Sequence, residues 1–86
     1  MEIFYLSKFE KQYKKLPLKV KDLAEEKEKI FRKNPFNLIL ETYKLHGKLS
    51  DFLAFSINYE YRIIFDFLDK KKNIVRFYSV GKHDIY

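Results

Sequence analysis

Residues 53–86 read LAFSINYEYRIIFDFLDKKKNIVRFYSVGKHDIY. Three strands in a row account for most of this stretch. Leu53, Phe55 and Ile57 alternate with Ala54, Ser56 and Asn58; Tyr61, Ile63, Phe65 and Phe67 alternate with Arg62, Ile64 and Asp66. Period-two alternation is the signature of a strand buried on one face. The run Asn73 to Val80 is rich in β-branched and aromatic residues, and Asp69 to Asn73 (DKKKN) suits a short hairpin turn. Arg62 stands out, because an arginine is rarely buried unpaired. Its parity puts it on the face opposite the aromatic row, toward solvent or a ligand. Past the third strand the chain closes in a polar cluster, Lys82-His83-Asp84, and Tyr86.

Upstream, Met1 to Leu6 (MEIFYL) is a short strand apolar on both faces. Ser7-Lys8-Phe9-Glu10 has the spacing of a capping box, with Ser7 as the expected N-cap. Phe9, Tyr13 and Leu16 then recur on one helical face. Pro17 fits the first turn of a second helix, whose apolar stripe is Leu16, Val20, Leu23, Ala24, Ile30 and Phe31, with the stem of Lys27 beside it. Asn34-Pro35 ends that helix, since the residue before proline avoids the α region. Phe36 to Tyr43 is a connection without a clear pattern, tacked to the core by its aliphatics. In Lys44-Leu45-His46-Gly47-Lys48-Leu49, Gly47 permits a bend at positive φ. The expected order is β-α-α-β-β-β. It gives an α+β fold in which an N-terminal helical hairpin packs on one face of a mainly antiparallel four-stranded sheet and the other face stays open.

With 86 residues, a single domain spanning 1–86 is expected. Nine Phe and seven Tyr supply a core of large rings. The absence of Cys excludes disulfides and thiolate metal sites. No apolar run approaches the ~20 residues of a membrane helix, and Met1 leads into a strand rather than a signal peptide, which points to the cytoplasm. The net charge of +6 favours an anionic partner such as nucleic acid or an acidic protein.

The basic residues expected near the open face are Lys44, His46, Lys48, Arg62, Arg76, Lys82 and His83. A phosphodiester needs cations at its non-bridging oxygens, and arginine offers a planar fork for two of them. His83 is a candidate proton carrier, since an unperturbed imidazole titrates near ~6.5. Tyr86 and Tyr78 are candidates for stacking on a base. Two histidines without clustered carboxylates make no closed metal site, so neither a metal nor another cofactor is expected.

Leu45-His46-Gly47-Lys48-Leu49, Phe55 to Phe65 (FSINYEYRIIF) and Val80 to Tyr86 (VGKHDIY) together resemble the RelE/ParE toxin superfamily of toxin–antitoxin modules, nearest its RelE/StbE and YafQ-like branch. The pieces occur in the family's order along the whole chain. The resemblance implies a metal-independent endoribonuclease that cuts messenger RNA on the ribosome by 2′-OH attack and is neutralised by a cognate antitoxin. It places Arg62 on the scissile phosphate, His83 as general acid and Tyr86 against the substrate. Lys44 and Lys48 fall where related toxins contact RNA. Tyr43 stands where several relatives carry Glu or His, which leaves His46 as the other candidate base. Ser79 replaces an arginine of some relatives, and the tail after His83 is one residue shorter than the common form. Two further readings share the fold: a binding module without activity, and a gyrase inhibitor of the ParE type, which lacks the terminal histidine motif.

Overall fold

A computed structural model of the chain describes residues 1–82. The elements are β1 (Glu2–Tyr5), α1 (Ser7–Lys14), α2 (Leu18–Lys33), β2 (Tyr43–Lys44), β3 (Leu53–Ser56), β4 (Tyr61–Phe67) and β5 (Ile74–Lys82), with single 3₁₀ turns at Leu38–Leu40 and Gly47–Leu49. The α+β class agrees with the sequence reading, and the sheet corrects it. Among the described residues there are five strands, not four, in the order β1-β5-β4-β3-β2. The sheet is mixed: β1 runs parallel to β5, while the other pairs are antiparallel. The additional strand is β2. Its two residues pair with Ala54 and Leu53, and a segment so short leaves no alternation to detect.

The period-two reading holds in β3 and β4. Phe55, Ile63, Phe65, Val75 and Phe77 face the helices and join Phe9, Leu16, Val20, Ala24 and Phe31 in the main core. Phe31 is fully buried, with its ring 4.8 Å from Phe55, 4.9 Å from Phe65 and 5.4 Å from Phe77. Stacked and edge-on pairs of this kind add roughly 0.5–1.5 kcal/mol each beyond area burial. Helix α2 supplies Phe31 because Val20, Ala24 and Phe31 share one stripe, and it ends at Asn34, the residue before Pro35.

Two helix starts differ from expectation. Ser7 is not an N-cap: α1 begins at Ser7, Leu6 caps it, and the Glu10 amide donates to the Leu6 carbonyl at 3.0 Å. The reason is the tight strand-to-helix passage. Leu6 still donates to the Phe77 carbonyl at 3.2 Å, as the last rung beside β5, so the helix starts at the next residue. Pro17 likewise caps α2 instead of opening its first turn; its carbonyl accepts from Val20 and Lys21 at 3.0 Å each.

The face away from the helices is less open than the alternation implied. Leu45, Ala54 and Ile64 form a second apolar cluster there, joined by Tyr43, Leu49, Phe52 and Tyr78. The segment from Tyr43 to Phe52 folds over the sheet and is closed by the Leu45 amide on the Phe52 carbonyl at 3.0 Å. Among the described residues no helix is long and apolar enough to cross a membrane.

Candidate nucleic-acid interface

Arg62 is placed by the β3–β4 turn. The Asn58 side-chain oxygen accepts from the amides of Glu60 (2.9 Å) and Tyr61 (2.8 Å). Asparagine favours such turns because its short side chain mimics a backbone carbonyl. The turn fixed in this way aims the Asn58 backbone carbonyl at two donors, Ser56 Oγ at 2.6 Å and Arg62 Nη1. Arg62 Nη1 also donates to the Tyr61 carbonyl at 3.1 Å. Both acceptors are neutral, so they orient the guanidinium without offsetting its charge. The ion pairs among the described residues are Arg32–Glu28, Arg76–Asp66 and Lys82–Glu60, and none involves Arg62. Across the sheet Arg62 stands opposite Gly81, which has no side chain to cover it. The half-buried arginine therefore lies on the face away from the helices, as its parity requires.

The other residues singled out from the sequence divide. Arg76 is engaged: Nε and Nη2 grip both oxygens of Asp66 at 3.1 and 2.7 Å. That hydrogen bond to Asp66 is also the chief reason the Arg76 pKa is raised. Arg76 is five residues back along β5 from Gly81 (81 to 76), roughly 16 Å at about 3.3 Å per residue. It is a cross-strand clamp at the far end of the sheet. Lys82 is exposed and lies opposite Tyr61, with Nζ 3.8 Å from Glu60. Lys44 pairs with Leu53 and so falls on the helix side of the sheet edge, away from Arg62. His46 and Lys48 are exposed on the loop that covers the second cluster. The bend in that loop is at Gly47, with φ +70°. Tyr43 pairs with Ala54 and shares the face of Ile64 and Arg62. His83 and Tyr86 lie outside the described residues.

Sequence reasoning missed Gln12 and the role of Asn58. Asn58 was legible as a turn former. Gln12 was not, because nothing in a helical stripe marks a polar residue aimed at a distant strand. Its Oε1 accepts from Ser79 Oγ at 3.0 Å and from the Val80 amide at 2.9 Å, just before the strand end that carries Gly81 and Lys82. Beside this, Lys8 Nζ lies 4.5 Å from the centroid of the Tyr78 ring, which in turn packs on Phe52 at 4.7 Å. Among the described residues, the face thus offers a guanidinium matched by no carboxylate, with lysines and aromatic side chains around it. Among the described residues no group of three His, Cys, Asp or Glu stands together to hold a metal ion.

The helix side has a different character. A groove of about 330 Å³ is lined by Tyr5, Phe9, Glu10, Tyr13, Glu25 and Glu28, with Lys14 at its side. Burial is the main cause of the raised pKa values of Tyr5 and Tyr13, and nearby glutamates add to it.

No protein-family model matches the chain, and no curated protein does. Solved structures do. YafQ from E. coli strain BL21(DE3) superposes with a TM-score of 0.77 at 17% identity, over 95% of this chain and 92% of that one. A YoeB/ParE toxin from Agrobacterium tumefaciens gives 0.80 at 12% identity, over 96% and 99%. YoeB in the heterotetrameric YoeB–YefM toxin–antitoxin complex from Staphylococcus aureus gives 0.75 at 22%, over 96% and 97%. The chain has the RelE/YoeB-type toxin fold. The match spans nearly the whole of both chains. Within the toxin fold, Arg62 lies on β4 beside the end of β5.

Proposed function

We propose that the chain is the toxin of a type II toxin–antitoxin pair and an endoribonuclease that cuts messenger RNA on the ribosome. The observation that carries this reading is the Arg62 guanidinium, oriented by two carbonyls and matched by no carboxylate among the described residues. The toxin fold and the resemblance of the Arg62 strand and the His83 tail to RelE-type toxins support it. One solved relative is a toxin–antitoxin complex, and by analogy a cognate antitoxin is the partner here.

In the proposed reaction the ribose 2′-oxygen attacks the adjacent phosphorus. The bond from phosphorus to the 5′-oxygen breaks, leaving a 2′,3′-cyclic phosphate and a 5′-OH. Arg62 binds the non-bridging oxygens and stabilises the charge that grows on them. His83 donates the proton taken up by the departing 5′-oxygen. His46 or Tyr43 takes the 2′-OH proton, Tyr86 orients the substrate, and Lys48 and Lys82 add positive potential along the RNA. The reading rests on the chain's own acids and bases and needs no metal.

The test is cleavage of messenger RNA on purified translating ribosomes across a range of pH. His83→Ala and Arg62→Ala each slow cleavage by roughly 10²–10⁴-fold, the range for losing a general acid or an oxyanion donor. The Arg62 variant retains a titration in the histidine range and the His83 variant loses it. A loss in His46→Ala as large as in His83→Ala assigns the base to His46. Parent rates in both histidine variants would sink the acid–base scheme.

A further inference from the structure

The connection from Asn34 to Thr42 is tightly built, yet it holds apolar side chains in water. Asn34 Oδ1 accepts from the Phe36 amide and Asn37 Oδ1 from the Ile39 amide, each at 3.0 Å. The amides of Asn37, Leu40 and Glu41 donate to the carbonyls of Asn34, Asn37 and Leu38. Thr42 Oγ1 closes the loop on the Pro35 carbonyl at 2.6 Å. Leu40 anchors it in the core at 0% exposure, and Glu41 takes the left-handed region at φ 50°. A glutamate there is strained by roughly 1–3 kcal/mol. The product of all this order is Leu38 at 92% exposure and Ile39 at 57%. From the start of the same loop, Phe36 lines a cavity of about 320 Å³ together with Lys44, Asp51, Leu53, Phe67 and Lys72. Lys72 Nζ covers the rings of Phe36 and Phe67 at 5.0 and 5.7 Å.

We propose that this loop and cavity are a docking site for an acidic, amphipathic segment of a partner protein. Exposed apolar side chains on an ordered frame favour a partner because little entropy is lost when they are covered. Charge decides which partner. Lys33 precedes the loop, Lys44 and Lys72 line the cavity, and Lys70 and Lys71 stand on the same hairpin tip as Lys72; Glu41 and Asp51 offset only part of this, and Asp69 is turned to the amides of Asn73 and Ile74. A second copy of the chain would bring these lysines against one another. A helix with leucines on one face and glutamates on the other satisfies both the apolar groove and its basic rim. The proposal stands apart from the nuclease reading, since none of these residues has a part in it.

The experiment is a titration of the ¹⁵N-labelled full chain with a synthetic Leu/Glu amphipathic peptide, and with its Leu/Lys counterpart. Saturable shifts are expected at the amides of residues 36–44 and 67–72 with the acidic peptide only. Leu38→Ser, whose side chain is too exposed to matter for folding, weakens that binding about tenfold or more, the loss expected for one buried leucine anchor. Added salt weakens it several-fold, roughly as screening demands. Shifts confined to the groove between α1 and α2, equal binding of both peptides, or indifference to Leu38→Ser would each overturn the proposal. So would self-association of the parent abolished by Leu38→Ser, which makes a second copy the occupant. Saturation of the same amides by a single-stranded RNA, with no response to the acidic peptide, would overturn it as well.

Discussion

Gln12 offers a sharp test of how the end of β5 is held. β1 stops at Tyr5, opposite Phe77, and the Leu6 amide makes the last rung. Beyond that point no strand among the described residues flanks β5 on this side, and the Val80 amide is satisfied by Gln12 Oε1 instead. Ser79 and Val80 are 3% and 2% exposed, so water has little access to either donor. Gln12→Leu keeps the bulk and removes the acceptor. A buried donor left unsatisfied costs about 1–3 kcal/mol. The Ser79 hydroxyl can rotate to another acceptor, so the backbone amide sets the scale. Total stability for 86 residues is about 4–13 kcal/mol at 0.05–0.15 kcal/mol per residue, which makes this a large fraction. With an m-value of about 1 kcal/mol per molar urea, the unfolding midpoint falls by roughly 1–3 M. Gln12→Glu retains an oxygen acceptor and recovers most of the loss. Ser79→Ala made in the Gln12→Leu background is nearly neutral, because the second donor is removed with its acceptor. A Gln12→Leu midpoint within about 0.3 M of the parent, well inside the ~1 kcal/mol lower bound, would refute the idea that a side chain stands in for a missing strand.

Other outcomes follow from the core, the loop and the tyrosines. Phe31→Ala empties a fully buried site that touches three other rings; a loss of about 3–5 kcal/mol is expected, and circular dichroism should find the variant largely unfolded at physiological temperature. Gly47→Ala finds open space for its Cβ but must hold φ +70°, so calorimetry should show a loss of about 1 kcal/mol from backbone strain alone. The Tyr5 pKa is raised above its ordinary value of 10.0, chiefly by burial and then by the hydrogen bond to Glu28, with Arg32 opposing. The folded chain therefore keeps that proton when the unfolded chain loses it. Stability is full below pH 10.0 and declines as pH rises toward the folded value; in Tyr5→Phe this part of the alkaline decline is absent from urea midpoints measured against pH.

Long alternating segments were legible because burial on one face leaves a period in the sequence. Leu53 to Ser56 and Tyr61 to Phe67 were found within a residue or two, and the side of the sheet taken by Arg62 followed from parity. The helix stop at Asn34 was equally plain, since proline acts through local sterics. What was hidden depends on distant contacts. The two residues of β2 carry no period. The capping box at Ser7 was overridden by the last rung between Leu6 and Phe77. The cover over the outer face uses Leu45, Leu49 and Phe52, whose spacing fits no regular element. Lys44 and Arg76 were grouped with Arg62 by charge, but strand alternation and the Asp66 clamp separate them.

The parallel pairing of the first strand with the last has a consequence for the chain as it is made. Glu2 pairs with Ile74, 72 positions later (74 − 2). At roughly 5–20 residues per second of synthesis, β1 waits about 4–14 s for the strand it lies against. During that interval its Ile3 and Tyr5 have no sheet to bury them, and α1 has no β5 edge to close with Gln12. The β1 edge joins the sheet only once β5 has been made. A nascent chain interrupted before Ile74 has the β2, β3 and β4 side of the sheet but nothing to join β1 to it, so the two ends of the fold are tied together by β5 alone.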